Sequence, residues 1–380
     1  MMKSTHGTIR AAALGLFLFM CVPSFPANII VPTMELITHG VDSGGLFVLQ
    51  TYGNMALEVQ GGYKFGGSIS FGLYNESILE NQSLPNIQFL SASMTIRDVF
   101  SLPLNVVYFV GQNDIFGSGS GFENFGSPPI MTRYRGYLYF PNNPADPVNP
   151  LPIYDGIYQV QGTGVELAVT PVPGTFGTDL YLYEDTHPAF PELGTYSGDL
   201  RFVLNSSDVK LEGFMGGTTG HLAHSGSVRG GLLFYATNQN VEFLAEVGIP
   251  RWDPSVDSSL SVNLFYLLFE PRLHLGAFNI VPTFFWHPAY YNQTLYSTES
   301  GTFDVNLNLY FGDQANTTLQ GGMEGNFRFQ SSAGSMIFKV SPWVGFNTPG
   351  VQWTVKVNTK LWPFDWSDML DGFVGVRAEL

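Results

Sequence analysis

The chain has 380 residues, of which 44% are hydrophobic, 15% aromatic and only 12% charged, and 43 are glycine. Soluble domains carry about 25% charge, so the deficit excludes a disordered chain and a helix-rich cytosolic enzyme laced with exposed Lys and Glu. A formal net charge of −15 makes a nucleic-acid partner unfavourable, because phosphate backbones are bound by excess cations.

Residues 1–27 read as an export signal. Lys3 and Arg10 form a basic front, Ala11 to Val22 an apolar core, and Ser24 or Ala27 precedes the cut. The apolar run is too short to span a bilayer as a helix. The single cysteine, Cys21, lies inside this segment, which leaves no intrachain disulfide; a lipoprotein reading through Cys21 is weakened by Met20 before it. Removal of the signal leaves fourteen bases against 31 acids, a net of −17. The remainder, 28–380, is read as one domain.

Period-two alternation dominates that domain. In chain order, candidate strands lie near 45–52, 54–64, 66–74, 86–97, 103–111, 131–140, 156–170, 178–184, 198–205, 207–216, 228–237, 240–248, 258–270 and 273–286. The C-terminal stretches are cleaner. Phe303, Val305, Leu307, Leu309 and Phe311 alternate with Asp304, Asn306, Asn308 and Tyr310. Further files follow in 319–330, 335–346, 351–360 and 372–380. Short turns are expected at 171–174, 205–207, 238–240, 271–272, 312–316 and 347–350, with longer loops between them.

Alternation alone fits a sandwich with a dry interior or a membrane barrel with a dry exterior. Three features select the barrel. Many stretches run nine to twelve residues, the length of a tilted membrane-crossing strand. Charges sit in mid-strand on the polar face, and short and long connections alternate. Hydrocarbon offers no partner to a free N–H, so a spanning sheet must close on itself.

With its alternation carried to the last residue in Gly372–Leu380, the chain resembles a Gram-negative-type outer-membrane β-barrel of the porin-like class, ending in Leu380 where that class usually has an aromatic residue. The resemblance implies an all-β, transmembrane antiparallel barrel in the cell outer membrane. Parity and length give 16 strands, with 14 and 18 as alternatives. It also implies outer-membrane lipid, the barrel-assembly machinery and small solutes as partners, with a homotrimer as one assembly such barrels adopt.

On the polar files, Arg201, Lys210, Glu212, Arg229, Glu242, Glu246, Asp304, Glu324, Arg328, Lys339, Lys356, Lys360 and Arg377 are the expected pore-lining residues. They can bias ion passage or merely brace the wall as ion pairs. Arg251 and Arg272 are read as turn residues. Trp286, Trp353, Trp362 and Trp366 fall near strand ends, where amphipathic rings anchor at the membrane interface. The glycine-rich stretch Gly111–Pro128 is a candidate constriction loop, but parity places it on the periplasmic side, and a flexible exposed loop is the favoured reading. Its G-x-G spacing lacks the strand–helix context of a nucleotide site.

No catalytic, cofactor or metal site is expected. His221 and His224 form an H-x-x-H pair with no further ligands. His187, Ser197 and Asp199 make a triad only on paper, without a G-x-S-x-G elbow. The expected function is a passive or weakly selective channel for small hydrophilic solutes. The alternatives are a transporter of hydrophobic substrates such as fatty acids, to which Asn143–Ala145 is a weak pointer, and a surface adhesin or antigen on a barrel scaffold.

Overall fold

The computed structural model describes residues 28–43, 46–75, 86–131, 156–186, 195–219, 226–255, 257, 259–287, 301–312, 318–330, 335–366 and 369–379. The export signal, residues 132–140 of the candidate strand at 131–140, His187, His221, His224 and Asn143–Ala145 lie outside them.

The alternating files form strands throughout. In chain order these are β1 (Asn28–Ile30), β2 (Thr33–Ser43), β3 (Leu46–Gly61), β4 (Phe65–Asn75), β5 (Asn86–Ile96), β6 (Leu104–Phe116), β7 (Tyr158–Val172), β8 (Phe176–Asp185), β9 (Tyr196–Asn205) and β10 (Val209–Thr219). They continue with β11 (Gly226–Thr237), β12 (Val241–Trp252), β13 (Tyr266–Leu275), β14 (Phe278–His287), β15 (Thr302–Phe311), β16 (Leu319–Gln330), β17 (Ser335–Thr348), β18 (Val351–Trp362) and β19 (Leu370–Glu379). Each strand from β2 to β19 pairs antiparallel with its sequence neighbours, and β19 pairs back onto β2, with Phe373 opposite His39 and Arg377 opposite Glu35. The ring is therefore closed at eighteen strands, and a sheet without edges needs no partner from the bilayer. Strand β1 pairs with Glu58–Gln60 of β3 on the edge that β2 occupies further along, so it extends β2 past Pro32.

The count of 16 is thereby corrected to the alternative of 18. The stretch 33–43, not read as a strand, is β2, and the stretches 45–52 and 54–64 are one strand, β3. Gly53 lies in the outward file of β3 and interrupts its apolar pattern. The turn expected at 271–272 lies at Gly276–Ala277, where Gly276 takes φ +68. Arg251 is the penultimate residue of β12, and Arg272 is in mid-strand in β13.

The surface is inverted relative to a soluble protein. Leu182, Leu200, Met215, Val247, Leu307, Met323, Val344 and Val374 are exposed on the outer face, while Arg201, Glu212, Glu270, Asn306, Asn326 and Lys356 are buried inside. The outer belt is rich in rings. Phe234, Phe243, Phe269 and Phe284 follow one another across β11 to β14 with centroids 5.0–6.1 Å apart. This is the inversion expected of a transmembrane barrel, whose outer face meets lipid; a sandwich would bury the rings instead.

Candidate functional site: the lumen and its inward loop

Strand β6 leads into a loop on the side of the ring where the longer connections cluster. The periplasmic placement of Gly111–Pro128 rested on counting 131–140 as a membrane-crossing strand; in the ring β6 is followed directly by β7, which puts the connection after β6 on the long-loop side and corrects that placement. The exposed-loop reading is corrected as well, because the segment turns into the barrel. Gly117 and Gly119 both take left-handed φ, +76 and +78. A Cβ on Gly119 would stand 2.5 Å from Ile130, so only glycine fits. The bend directs both backbone N–H groups at the carboxylate of Glu212 on β10, Gly117 at 3.0 Å and Gly119 at 3.2 Å. A single helical turn, Ser120–Glu123, follows, and Phe122, Ile130 and Ile157 are buried among Phe109, Phe116, Tyr181, Val203, Phe214, Leu233, Leu244 and Phe285. That apolar cluster fills the interior beside β6 to β14.

Three arginines organise the charged wall around the loop. Arg201 on β9 is fully buried. It pairs with Asp114 at 2.7 Å and Asp179 at 2.8 Å, stands 4.0 Å from Glu212, and lies between the rings of Phe116 and Tyr181. Arg229 on β11 donates to both oxygens of Asp199, at 2.6 and 2.7 Å, and to the Tyr183 hydroxyl, and lies 4.1 Å over the Tyr158 ring. Arg272 pairs with Glu270 and Glu242 and donates to the carbonyl of Ile130, which ties the loop to β13. Lys210 reaches Ser127 in the loop and Asn205. Buried charges persist when their partners are complete, and these are multiply bonded.

The other expected pore-lining residues also face inward. Glu246 is buried on β12 and Glu242 pairs with Arg272 and His274. Asp304 receives Arg328 and faces the His287 ring, each at 2.8 Å or less. Glu324 accepts from Lys356 at 2.6 Å, Lys339 pairs with Asp371 at 2.9 Å, and Lys360 stands directly across from Lys339. Arg377 faces Glu35 across the closing seam. Asp199 and Ser197 are engaged with Arg229 and Asp185. Asp114, Asp179, Asp185, Glu270, His287 and Asp371 were not singled out, and Arg272 was read as a turn residue. Parity within β8, β13 and β19 marks Asp179, Asp185, Glu270, Arg272 and Asp371, whereas Asp114 becomes functional only through the inward bend.

Charge is separated across the ring. Facing in from β6 to β11 are six acids (Asp114, Glu166, Asp179, Asp185, Asp199 and Glu212) and three bases. Facing in from β16 to β19, among residues with described side chains, are five bases (Arg328, Lys339, Lys356, Lys360 and Arg377) and two acids. The centres of these walls, β8–β9 and β17–β18, are nine strands apart in a ring of eighteen and therefore diametrically opposite. Between them, the inner wall of β4 and β5 is small and neutral, with Ser68 bonded to Ser93 and Ser70 to Ser91. Inward side chains of β3 to β5 and many on β16 to β19 are half-buried, whereas those of β7 to β12 are mostly fully buried. The interior is thus filled less tightly on the side away from the loop.

The four expected interface tryptophans lie at strand ends or beyond. Trp353 stacks on Phe346 beside the short β17–β18 turn. Trp286 and Trp362 close β14 and β18 at the long-loop end, and Trp366 follows in the loop, edge-on to Phe364.

No protein-family model matches the chain, and no curated protein matches it. Among solved structures it is similar to an engineered variant of the porin of Rh. blastica, at 10% identity with a TM-score of 0.50, over 93% of this chain and 100% of that one. It is also similar to Wzi of Escherichia coli, described as a carbohydrate-binding outer-membrane β-barrel involved in group 1 capsule assembly, at 9% identity with a TM-score of 0.53, over 100% of this chain and 90% of that one. With its closed ring, charged inner wall and apolar belt, the chain shares the closed antiparallel β-barrel fold of these outer-membrane proteins.

Proposed function

We propose that the protein is an outer-membrane diffusion channel for small hydrophilic solutes, weakly selective by charge. The observation that carries this reading is the asymmetry of the lumen. The inward loop is held against the acidic, densely packed wall, and a half-buried, polar and cationic wall faces it from the other side. Water and solutes take the uncovered side, and opposite charge excesses across the passage orient dipolar solutes and bias ions. Conductance across planar bilayers tests it: discrete ohmic steps support the channel, and complete electrical silence of a correctly folded barrel refutes it.

The packing of half the interior favours a second reading, in which the barrel serves as a scaffold whose long-loop face binds carbohydrate; Wzi is described as a carbohydrate-binding β-barrel. Retention on immobilised polysaccharide without conductance would support that reading over the first.

A further inference from the structure

Strands β13 and β14 pair from Leu267–Trp286 to Phe269–Phe284, and again from Leu273–Ile280 to Leu275–Phe278, in one unbroken register. Between these stretches the ladder is absent. That register sets Pro271 opposite Pro282. The two-residue turn Gly276–Ala277 makes Leu275 and Phe278 a pair that exchanges both backbone bonds. Every second pair outward from the turn has the same character, which reaches Leu273–Ile280 and then Pro271–Pro282. Neither proline has an N–H, so both bonds of that pair are missing at one level of the wall. The site is in mid-strand, about 13 Å along the strand from the turn, and the side chains there face the lipid.

A bilayer gives an unpaired carbonyl no donor, so a gap in this place is costly, and prolines are otherwise confined to edges and bulges. The flanks of the gap are apolar on both sides. Outside stand Phe269 and Phe284, with ring centroids 6.1 Å apart. Inside, on the same strands, Leu268 and Phe285 belong to the buried apolar cluster, an unusual lining for a purely aqueous pore. A side-chain bond crosses the seam at this level, from the Thr283 hydroxyl to Glu270 at 2.8 Å. Glu270 also holds Arg272, which holds the inward loop at Ile130.

We propose that the β13–β14 seam is a lateral portal, through which the alkyl chain of a single-chain amphiphile passes between the apolar cluster inside the barrel and the bilayer. The headgroup stays with the polar lumen, and the chain slides between Pro271 and Pro282, where no ladder bond has to break. The Thr283–Glu270 bond is the latch. Because Glu270 is joined through Arg272 to Ile130, movement of the loop releases the latch.

The test places a benzophenone side chain at Leu268 in the full-length barrel, reconstituted in vesicles of phosphatidylethanolamine and phosphatidylglycerol doped with dodecanoic acid. Adducts are read by mass spectrometry after illumination. A benzophenone at Leu233, equally buried and inward but on β11, two strands from β13, is the control. Dodecanoyl adducts are expected at Leu268 and not at Leu233. Two closures are compared: Pro271→Val with Pro282→Val, which restores both donors, and Phe269→Cys with Phe284→Cys, oxidised to a disulfide across the gap. Either is expected to lower the Leu268 adduct about tenfold, equivalent to stabilising the closed seam by about 1.4 kcal/mol. Should the valine variant fail to fold, the disulfide pair, reversible by reductant, supplies the same comparison. Absence of adducts at Leu268, or equal yield in the closed and open forms, overturns the portal. Channel conductance, recorded in the same preparations, is expected to persist in the closed forms, so failure of the portal and failure of the diffusion channel are read separately.

Discussion

Replacing Glu212 with alanine should free the inward loop and enlarge the conducting path. The Glu212 carboxylate accepts the N–H groups of Gly117 and Gly119 and lies 4.0 Å from Arg201. Hydrogen bonds to charged groups contribute about 1.5–3 kcal/mol each, so removing both acceptors subtracts about 3–6 kcal/mol from loop attachment. The Asp114–Arg201 pair, the Arg272–Ile130 bond and burial of Phe122 remain. A loss of about 3 kcal/mol still shifts the docked-to-released ratio by more than about a hundredfold. Single-channel recording is the assay. Glu212→Ala should show larger mean conductance and added open-channel noise, while the barrel keeps its heat-modifiable migration in detergent, because no ladder bond is touched. Glu212→Gln keeps one acceptor oxygen and should fall between. Identical conductance and noise in all three proteins would refute the claim that the docked loop sets the passage.

Lys360→Glu inverts a charge on the half-buried cationic wall beside Lys339 and should shift the reversal potential in a salt gradient toward cation preference, most at low ionic strength. An unchanged potential would reduce that wall to bracing. Met323→Arg places a cation on the exposed outer face of β16; it should cost about 2–4 kcal/mol near the bilayer midplane, seen as a lower urea midpoint for folding into vesicles. Gly119→Ala meets both the left-handed φ and the Ile130 side chain. It should cost about 1–3 kcal/mol of loop docking and reproduce part of the Glu212→Ala noise.

The architecture was legible wherever the outward file was unbroken. Phe303 to Phe311 and Val351 to Val357 signalled both strand type and dry face, because hydrocarbon on one side and water on the other leave a strict two-residue imprint. It failed where that imprint was locally erased. In β2, Leu36 and Ile37 are adjacent apolar residues on opposite faces, so the period vanishes. In β3, Gly53 removes a side chain from the outer file. At Pro271, a residue that normally ends strands lies inside one, which displaced the expected turn and consigned Arg272 to a loop. Which charges line the lumen followed from parity, but their partners did not. Glu212 meets Gly117 across 95 residues of sequence, a contact made by ring closure and loop entry that no local spacing encodes.

The join between β19 and β2 has a temporal consequence. Thr33 finds its neighbour only in Glu379, so every nascent intermediate short of that point exposes two unzipped margins, each ready to accept a foreign strand. Insertion must then be deferred until almost the whole polypeptide is on hand, and a deletion of the last ten residues should leave the remainder without a stable home in any lipid phase, however sound its other seams.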